Sequence, residues 1–251
     1  MKMNHRFDGP DGAPVLVLWH SIGADLTMWE PQVGPLAKKF RLLRCDSRGH
    51  GASPVPAGPY TMDDLGADLV ELTGALGVER FDLCGLSMGG QVGLWMALHK
   101  PKKLRRLIIA NTAARLGTRE LWDARIAAVK RAGMPAIVDG ALDRFFAAPF
   151  RARAPAVVAR IREVFLATPA TGYMASCAAL RDFDAREALR TIRVPTLVIG
   201  GNADVATPPS DAKFLAENIP GAGLALLSAA HMSNLEAPES FTAAVNQFLA
   251  N

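Results

Sequence analysis

Several things are scarce in this 251-residue chain, and each scarcity excludes something. There are three cysteines, Cys45, Cys84 and Cys177, an odd number without ligand-like spacing. That excludes a disulfide scaffold and a thiolate metal site, and two of the three lie in apolar runs that suit buried free thiols. No apolar run approaches the ~18 residues that a membrane-spanning helix needs. The opening residues, MKMNHRFDGPDG, lack the apolar stretch of a secretory signal. The expectation is a soluble, cytoplasmic chain with no membrane partner. Aromatic residues make up 7% of the chain and the net charge is +4, with the arginines scattered and no basic stripe interleaved with aromatics. Nucleic acid is therefore not an expected partner, whereas a mild positive balance suits a small anionic substrate. No metal-ligand cluster, dinucleotide fingerprint or phosphate loop occurs, so neither a metal nor a cofactor is expected.

What the chain does have is apolar content, 50% of its residues, enough for a sizeable core. Strand-like and helix-like segments alternate. APVLVLWH (13–20) and FRLLRCD (40–46) are short, nearly continuous apolar runs, the pattern of strands buried on both faces. A helix is predicted around residues 29–39, and another over 60–77, opened by Thr61 and Asp64 in capping-box spacing. RFDLCGL (80–86) and LRRLIIANT (104–112) read as strands separated by a helix that Pro101 stops. Residues 113–190 then read as helical fragments rich in Ala and Arg, broken by Pro and Gly. Alternation resumes at RVPTLVIGGNAD (193–204), with a helix near 209–219, the strand GLALLS (223–228) and a last helix from Pro238. This order predicts an α/β fold, a mostly parallel sheet covered by helices on both faces. Its core is expected from residues 1–112 and 191–251, with 113–190 as a helical cap.

Gly85-Leu86-Ser87-Met88-Gly89 fits G-x-S-x-G at a strand-to-helix turn. A nucleophile presented on so tight a turn takes a strained backbone, and side chains on its neighbours would clash. A serine hydroxyl needs a base, and the base needs an orienting acid. In the order Ser, acid, His, Asp204 follows the strand TLVIGG and His231 follows GLALLS, both at expected carboxyl ends of strands. His20 or His50 would break that order, and His5 and His99 are poorly placed. Asp46 is read as a loop-fixing carboxylate, and Asp182 and Asp184 as solvated or capping residues. The backbone N–H groups of Met88 and Ile22 are the expected oxyanion donors.

LWHSIG, DSRGHGAS, CGLSMGG, VIGGNADVATPP and AAHMSNLEAPESF together resemble the α/β-hydrolase superfamily over nearly the whole chain. NTAARLGTRELWDARI and GYMASCAALRDFD are similar to the 3-oxoadipate enol-lactonases within it. The resemblance implies a cap inserted after the sixth strand and a small anionic lactone as substrate. It also implies a cation for the substrate carboxylate: Arg125, with Trp122 one helical turn earlier, and Arg181 as second candidate. Ser21 stands where many members of the superfamily carry glycine. A carboxylesterase or a carbon–carbon bond hydrolase would use the same scaffold, and a non-catalytic binding protein would not need all three of Ser87, Asp204 and His231.

Overall fold

The computed structural model describes residues 2–250. The strands are β1 (His5–Asp8), β2 (Val15–Trp19), β3 (Arg41–Cys45), β4 (Phe81–Leu86), β5 (Leu104–Ala110), β6 (Thr196–Gly201) and β7 (Gly223–Leu227). They form one sheet in the order β1-β3-β2-β4-β5-β6-β7. Only β1 runs antiparallel, pairing with β3; every other neighbour is parallel. All positions of β4 and β6 are buried, so both faces of the sheet are covered, as continuous apolar runs require. The helices joining the strands are α1 (Glu30–Leu36), α2 (Met62–Ala75), α3 (Met88–His99), α9 (Pro209–Asn218), α10 (Ser233–Glu236) and α11 (Pro238–Ala250). The Thr61–Asp64 capping box at the start of α2 is present in both directions. Among the described residues no helix is long and apolar enough to cross a membrane.

Between β5 and β6 the chain forms α4 (Arg119–Ala132), α5 (Val138–Phe145), α6 (Ala148–Arg153), α7 (Pro155–Ala167) and α8 (Ala170–Asp182). This insertion leaves the sheet after the fifth strand, not the sixth, because a single strand, β1, precedes Val15. Its two ends are tied where Ala185 N–H donates to the Ala114 carbonyl at 2.9 Å, and it docks on the core where Tyr60 N–H donates to the Ala175 carbonyl at 3.2 Å.

The sheet order also fixes where a site can form. The chain passes from β2 to β3 on one side, then crosses back to β4 on the other. The loops leaving β2 and β4 therefore diverge at their carboxyl ends, and a crevice opens between them. Two buried histidines hold the β2 loop to the β3 loop. His20 Nδ1–H donates to the Ser21 carbonyl at 2.7 Å while its Nε2 accepts from Ser47 N–H at 2.8 Å. His50 Nδ1–H donates to the Arg48 carbonyl at 3.2 Å while its Nε2 accepts from Gly23 N–H at 3.1 Å. Both rings are spent on backbone groups as neutral imidazoles. Asp46 completes the pinning, accepting from Leu26 N–H, Ala52 N–H and the Asn4 amide at 2.8, 2.9 and 2.7 Å.

Two predictions follow from this frame. A Cβ on Gly85 would lie 2.0 Å from the Gly89 carbonyl oxygen, a backbone atom of the helix that β4 feeds. Gly85→Ala is expected to cost at least ~3 kcal/mol in urea unfolding, since strand and helix would have to separate; a loss below ~1 kcal/mol would show that they yield easily. Burial lowers the pKa of His20, against the pull of Asp46, and burial with the neighbouring His20 takes His50 to about 3. The native state thus refuses protons that the unfolded chain accepts below its ordinary histidine pKa near 6.5. Stability should be fully present above that pH and fall as pH drops toward 3, by up to roughly 1.4 kcal/mol per pH unit for His50 alone. A flat unfolding free energy between pH 6 and pH 4 would contradict this.

Candidate active site

The site is assembled from three strand ends. Ser87 ends β4 and adopts φ 58° and ψ −110°, a conformation that L-residues avoid. Its N–H donates to the Ala110 carbonyl at 2.8 Å, and its own carbonyl accepts from Thr112 Oγ1 at 3.0 Å. The end of β5 therefore clamps the serine backbone from both sides. Met88 begins α3, so its N–H belongs to the first turn, where no intrahelical acceptor exists.

Asp204 and His231 lie in the loops after β6 and β7, and the structure brings them together. His231 Nδ1–H donates to Asp204 Oδ2 at 2.9 Å. The same oxygen accepts from Thr207 Oγ1 at 2.7 Å and from the Asn111 amide at 3.0 Å. Oδ1 accepts from Ala206 N–H and Thr207 N–H at 2.8 and 2.9 Å. Burial favours the neutral acid, but the His231 charge and these hydrogen bonds outweigh it, and Asp204 is held at about 2. Ser87, Asp204 and His231 are all at least 95% shielded, with exposures of 5%, 3% and 3%. Neither Ser87 Oγ nor His231 Nε2 hydrogen-bonds another described residue, so Ser87 and His231 are not hydrogen-bonded to each other.

Asn111 was not among the residues expected from sequence. With Ser87 it is one of the two non-glycine residues at positive φ among those described, at 45°. Its N–H donates to the Ile199 carbonyl, and its amide reaches Asp204 and, at 3.2 Å, the Ala230 carbonyl. Its Oδ1 accepts from Ser233 Oγ at 2.5 Å. One residue thereby ties the serine's clamp to the acid loop and the histidine loop. Its only local sequence signal is an Asn after an apolar strand, a type that tolerates this conformation.

On the β2 loop, Ser21 N–H meets Met28 Sδ at 3.4 Å and Gly23 N–H is used by His50. Ile22 N–H lies between them and has no acceptor among the described residues. Opposite stands an aromatic wall from the insertion. Phe145 stacks on the His231 ring, with centroids 5.9 Å apart and planes at 16°, and Phe165 abuts both Phe145 and Tyr173. A Cβ on Gly23 would sit 2.5 Å from the Phe165 ring and 3.3 Å from that of Tyr173, so wall and loop touch.

The basic residues divide sharply. Arg181 is committed to Asp123 at 2.7 Å and to Asp182 at 2.7 Å, an ion-pair cluster on the outer face of the insertion. Arg125 lies over the Trp122 ring, 4.6 Å from its centroid; burial pushes the pKa of the nearby Tyr173 hydroxyl up, and the Arg125 charge opposes that rise. Trp122 is itself buried and spends its indole N–H on the Leu116 carbonyl at 2.6 Å. Arg144, which the sequence did not single out, is half-buried beside Phe145; burial and then the Arg125 charge lower its pKa. Neither Arg125 nor Arg144 has a carboxylate within ion-pair distance among the described residues. Such a pair of unneutralised guanidiniums beside a tyrosine hydroxyl is suited to an anion. Among the described residues no group of three or more His, Cys, Asp or Glu side chains could hold a metal ion.

Comparison with known proteins gives the chain's relatives. Residues 14–238 match the family described as the alpha/beta hydrolase fold. The chain is 37% identical over 245 residues to 3-oxoadipate enol-lactonase 2 of Acinetobacter baylyi, covering 98% of this chain and 92% of that one. It superposes on the crystal structure of the enol-lactonase from Burkholderia xenovorans LB400 with a TM-score of 0.98 and 42% identity, covering 99% and 96% of the two chains. A hydrolase from Pseudomonas aeruginosa gives a TM-score of 0.97 at 46% identity, covering 99% and 94%. The chain belongs to the α/β-hydrolase fold family.

Proposed function

We propose that this hydrolase opens the ring of a small, carboxylate-bearing enol-lactone, 3-oxoadipate enol-lactone, through a covalent acyl-enzyme on Ser87. The observation that carries the reading is a strained serine at a strand-to-helix turn together with a buried His231–Asp204 pair, whose imidazole is stacked on the Phe145 ring of the insertion. The similarity to enol-lactonases supports the choice of lactone.

The chemistry follows from the donors and acceptors available. Asp204 stays ionised and fixes the Nδ1–H tautomer of His231, which leaves Nε2 as the proton acceptor. As Ser87 Oγ attacks the ring carbonyl, His231 takes its proton. The developing oxyanion is met by the N–H groups of Met88 and Ile22. Collapse breaks the ring C–O bond; the leaving enolate takes the proton from His231 and remains tethered through the acyl chain. His231 then activates a water that releases 3-oxoadipate and frees Ser87. Arg125 and Arg144 hold the substrate carboxylate, and residues 113–190 act as the cap that carries them. Arg181, committed to two aspartates, takes no part. No cofactor is required.

The test is ultraviolet-monitored hydrolysis of the enol-lactone beside a neutral p-nitrophenyl ester. Ser87→Ala should abolish both, and Asp204→Asn should lower kcat by about 10⁴-fold, since the amide favours the wrong imidazole tautomer. Ester cleavage without lactone turnover would instead make the chain a carboxylesterase. Turnover of a diketone alone would make it a carbon–carbon bond hydrolase.

The arginine pair predicts a substrate-dependent effect. Arg125→Ala or Arg144→Met should raise KM for the lactone ~10- to 100-fold, the worth of a charge-assisted hydrogen bond, and change neutral-ester cleavage by less than ~2-fold. Equal losses on both substrates would show a packing role instead.

A further inference from the structure

We infer that Glu236, with the Phe145–Ala147 turn of the insertion, positions His231, so that the insertion is fastened to the loop of the base at this edge. The inference rests on His231 being the general base.

The two backbone N–H groups flanking His231 are both taken. Ala230 N–H donates to Glu236 Oε2 at 3.0 Å, and Met232 N–H donates to the Phe145 carbonyl at 2.9 Å. The same Glu236 oxygen accepts from Ala147 N–H at 3.3 Å, and the Glu236 carbonyl accepts from Arg153 at 3.3 Å. Between those anchor points the Phe145 ring lies against the imidazole. One carboxylate thus bridges the residue before the base and the turn between α5 and α6. The loop is held from its other side by the Asn111 amide on the Ala230 carbonyl.

Glu236 is 7% exposed and has no cation within ion-pair distance among the described residues. A buried carboxylate without a counter-ion is costly, and an apolar side chain would fill the space more cheaply. What the carboxylate supplies is two converging charge-assisted hydrogen bonds to backbone groups that belong to different parts of the chain. Those bonds fix where the imidazole stands relative to Ser87.

The experiment compares wild type with Glu236→Leu and Glu236→Gln, with active sites counted by complete fluorophosphonate labelling of Ser87. A displaced base should lower kcat per labelled site about 10²-fold in Glu236→Leu with KM within ~3-fold, because misplacement by about 1 Å costs this much. Glu236→Gln keeps an oxygen for both N–H groups and should recover most of the rate. An unchanged kcat in Glu236→Leu with only a lower Tm would overturn the proposal. Should Glu236→Leu not fold, amide exchange in the wild type decides. Ala147, Ala230 and Met232 should exchange as one cooperative unit; Ala147 and Met232 exchanging ~100-fold faster than Ala230 would overturn it. His231→Ala separates the failures. If it labels at the wild-type rate, the base assignment falls and this proposal with it. If labelling is lost while Glu236→Leu is normal, only the positioning proposal falls.

Discussion

The backbone of Ser87 is held in a conformation that costs about 1–3 kcal/mol, and much of the surrounding structure is arranged to hold it there. The clamp is the end of β5: Ala110 accepts the serine N–H, and Thr112 donates to the serine carbonyl. Thr112 is steadied in turn by the Gln91 amide of α3 at 3.0 Å, which also reaches the Ala113 carbonyl. Asn111, between the two clamping residues, is strained as well. Its side chain carries the restraint onward to Asp204 and to the Ala230 carbonyl. Ser87, Asp204 and the loop of His231 therefore share one short segment as their reference. That is possible because β4, β5, β6 and β7 are consecutive parallel neighbours whose carboxyl ends fall at one edge.

Charge is distributed less evenly than the net +4 suggests. Residues 113–190 contain 13 Lys and Arg against 8 Asp and Glu, a balance of +5, so the remainder of the chain carries −1. Five of these 13 cations are already committed to carboxylates. Arg119, Arg151, Arg162, Arg181 and Arg186 each have an aspartate partner, on exposed or half-exposed surface where such pairs contribute little to stability. Arg125 and Arg144 form no ion pair among the described residues: Arg125 lies over the Trp122 ring, and burial with the Arg125 charge lowers the pKa of Arg144 against the pull of Tyr173 and Asp143. An arginine already bonded to carboxylates has spent its donors, whereas one packed against aromatic faces keeps its hydrogen-bonding edge.

The same contrast explains what could be read from sequence. Strand and helix positions were legible because periodicity is local: GLALLS and RFDLCGL each fell within two residues of an observed strand, and RVPTLVIGGNAD contains β6 with three residues to spare at each end. The strained serine was legible because its glycine neighbours are a steric requirement, and Asp46 because a carboxylate after a strand bonds nearby backbone. The choice between Arg181 and Arg144 was not legible. Each sits near the end of a helix beside an aspartate in sequence, and what distinguishes Arg181 is its further bond to Asp123, distant in sequence and brought near by the packing of α4 against α8. Asn111 and Glu236 were missed for the same reason. Asn111 reaches Asp204 and Ala230, and Glu236 reaches Ala147, all on segments far away in sequence, and an Asn after a strand or a Glu near a proline is too common locally to single out. The insertion was placed one strand late because strand numbers came with the resemblance, while this chain spends only four residues, His5–Asp8, on the strand before Val15.

The surroundings of His231 are asymmetric in a way that suits the proposed chemistry. On one side Asp204, Thr207 and Asn111 form a saturated polar network in which both carboxylate oxygens are accounted for. A network so complete has one arrangement of protons, so the imidazole tautomer is set before any substrate arrives. On the other side Phe145, Phe165 and Tyr173 offer rings and almost no competing acceptors. In the mechanism proposed above, an apolar wall of this kind lowers the local dielectric and strengthens the pull of backbone N–H groups and guanidiniums on negative charge. Neither side would suffice alone. A wet crevice would screen the N–H groups and guanidiniums, and a dry crevice without the saturated network would push the Asp204 proton equilibrium toward the neutral acid. Asp204 at about 2 despite its burial marks the balance between the two.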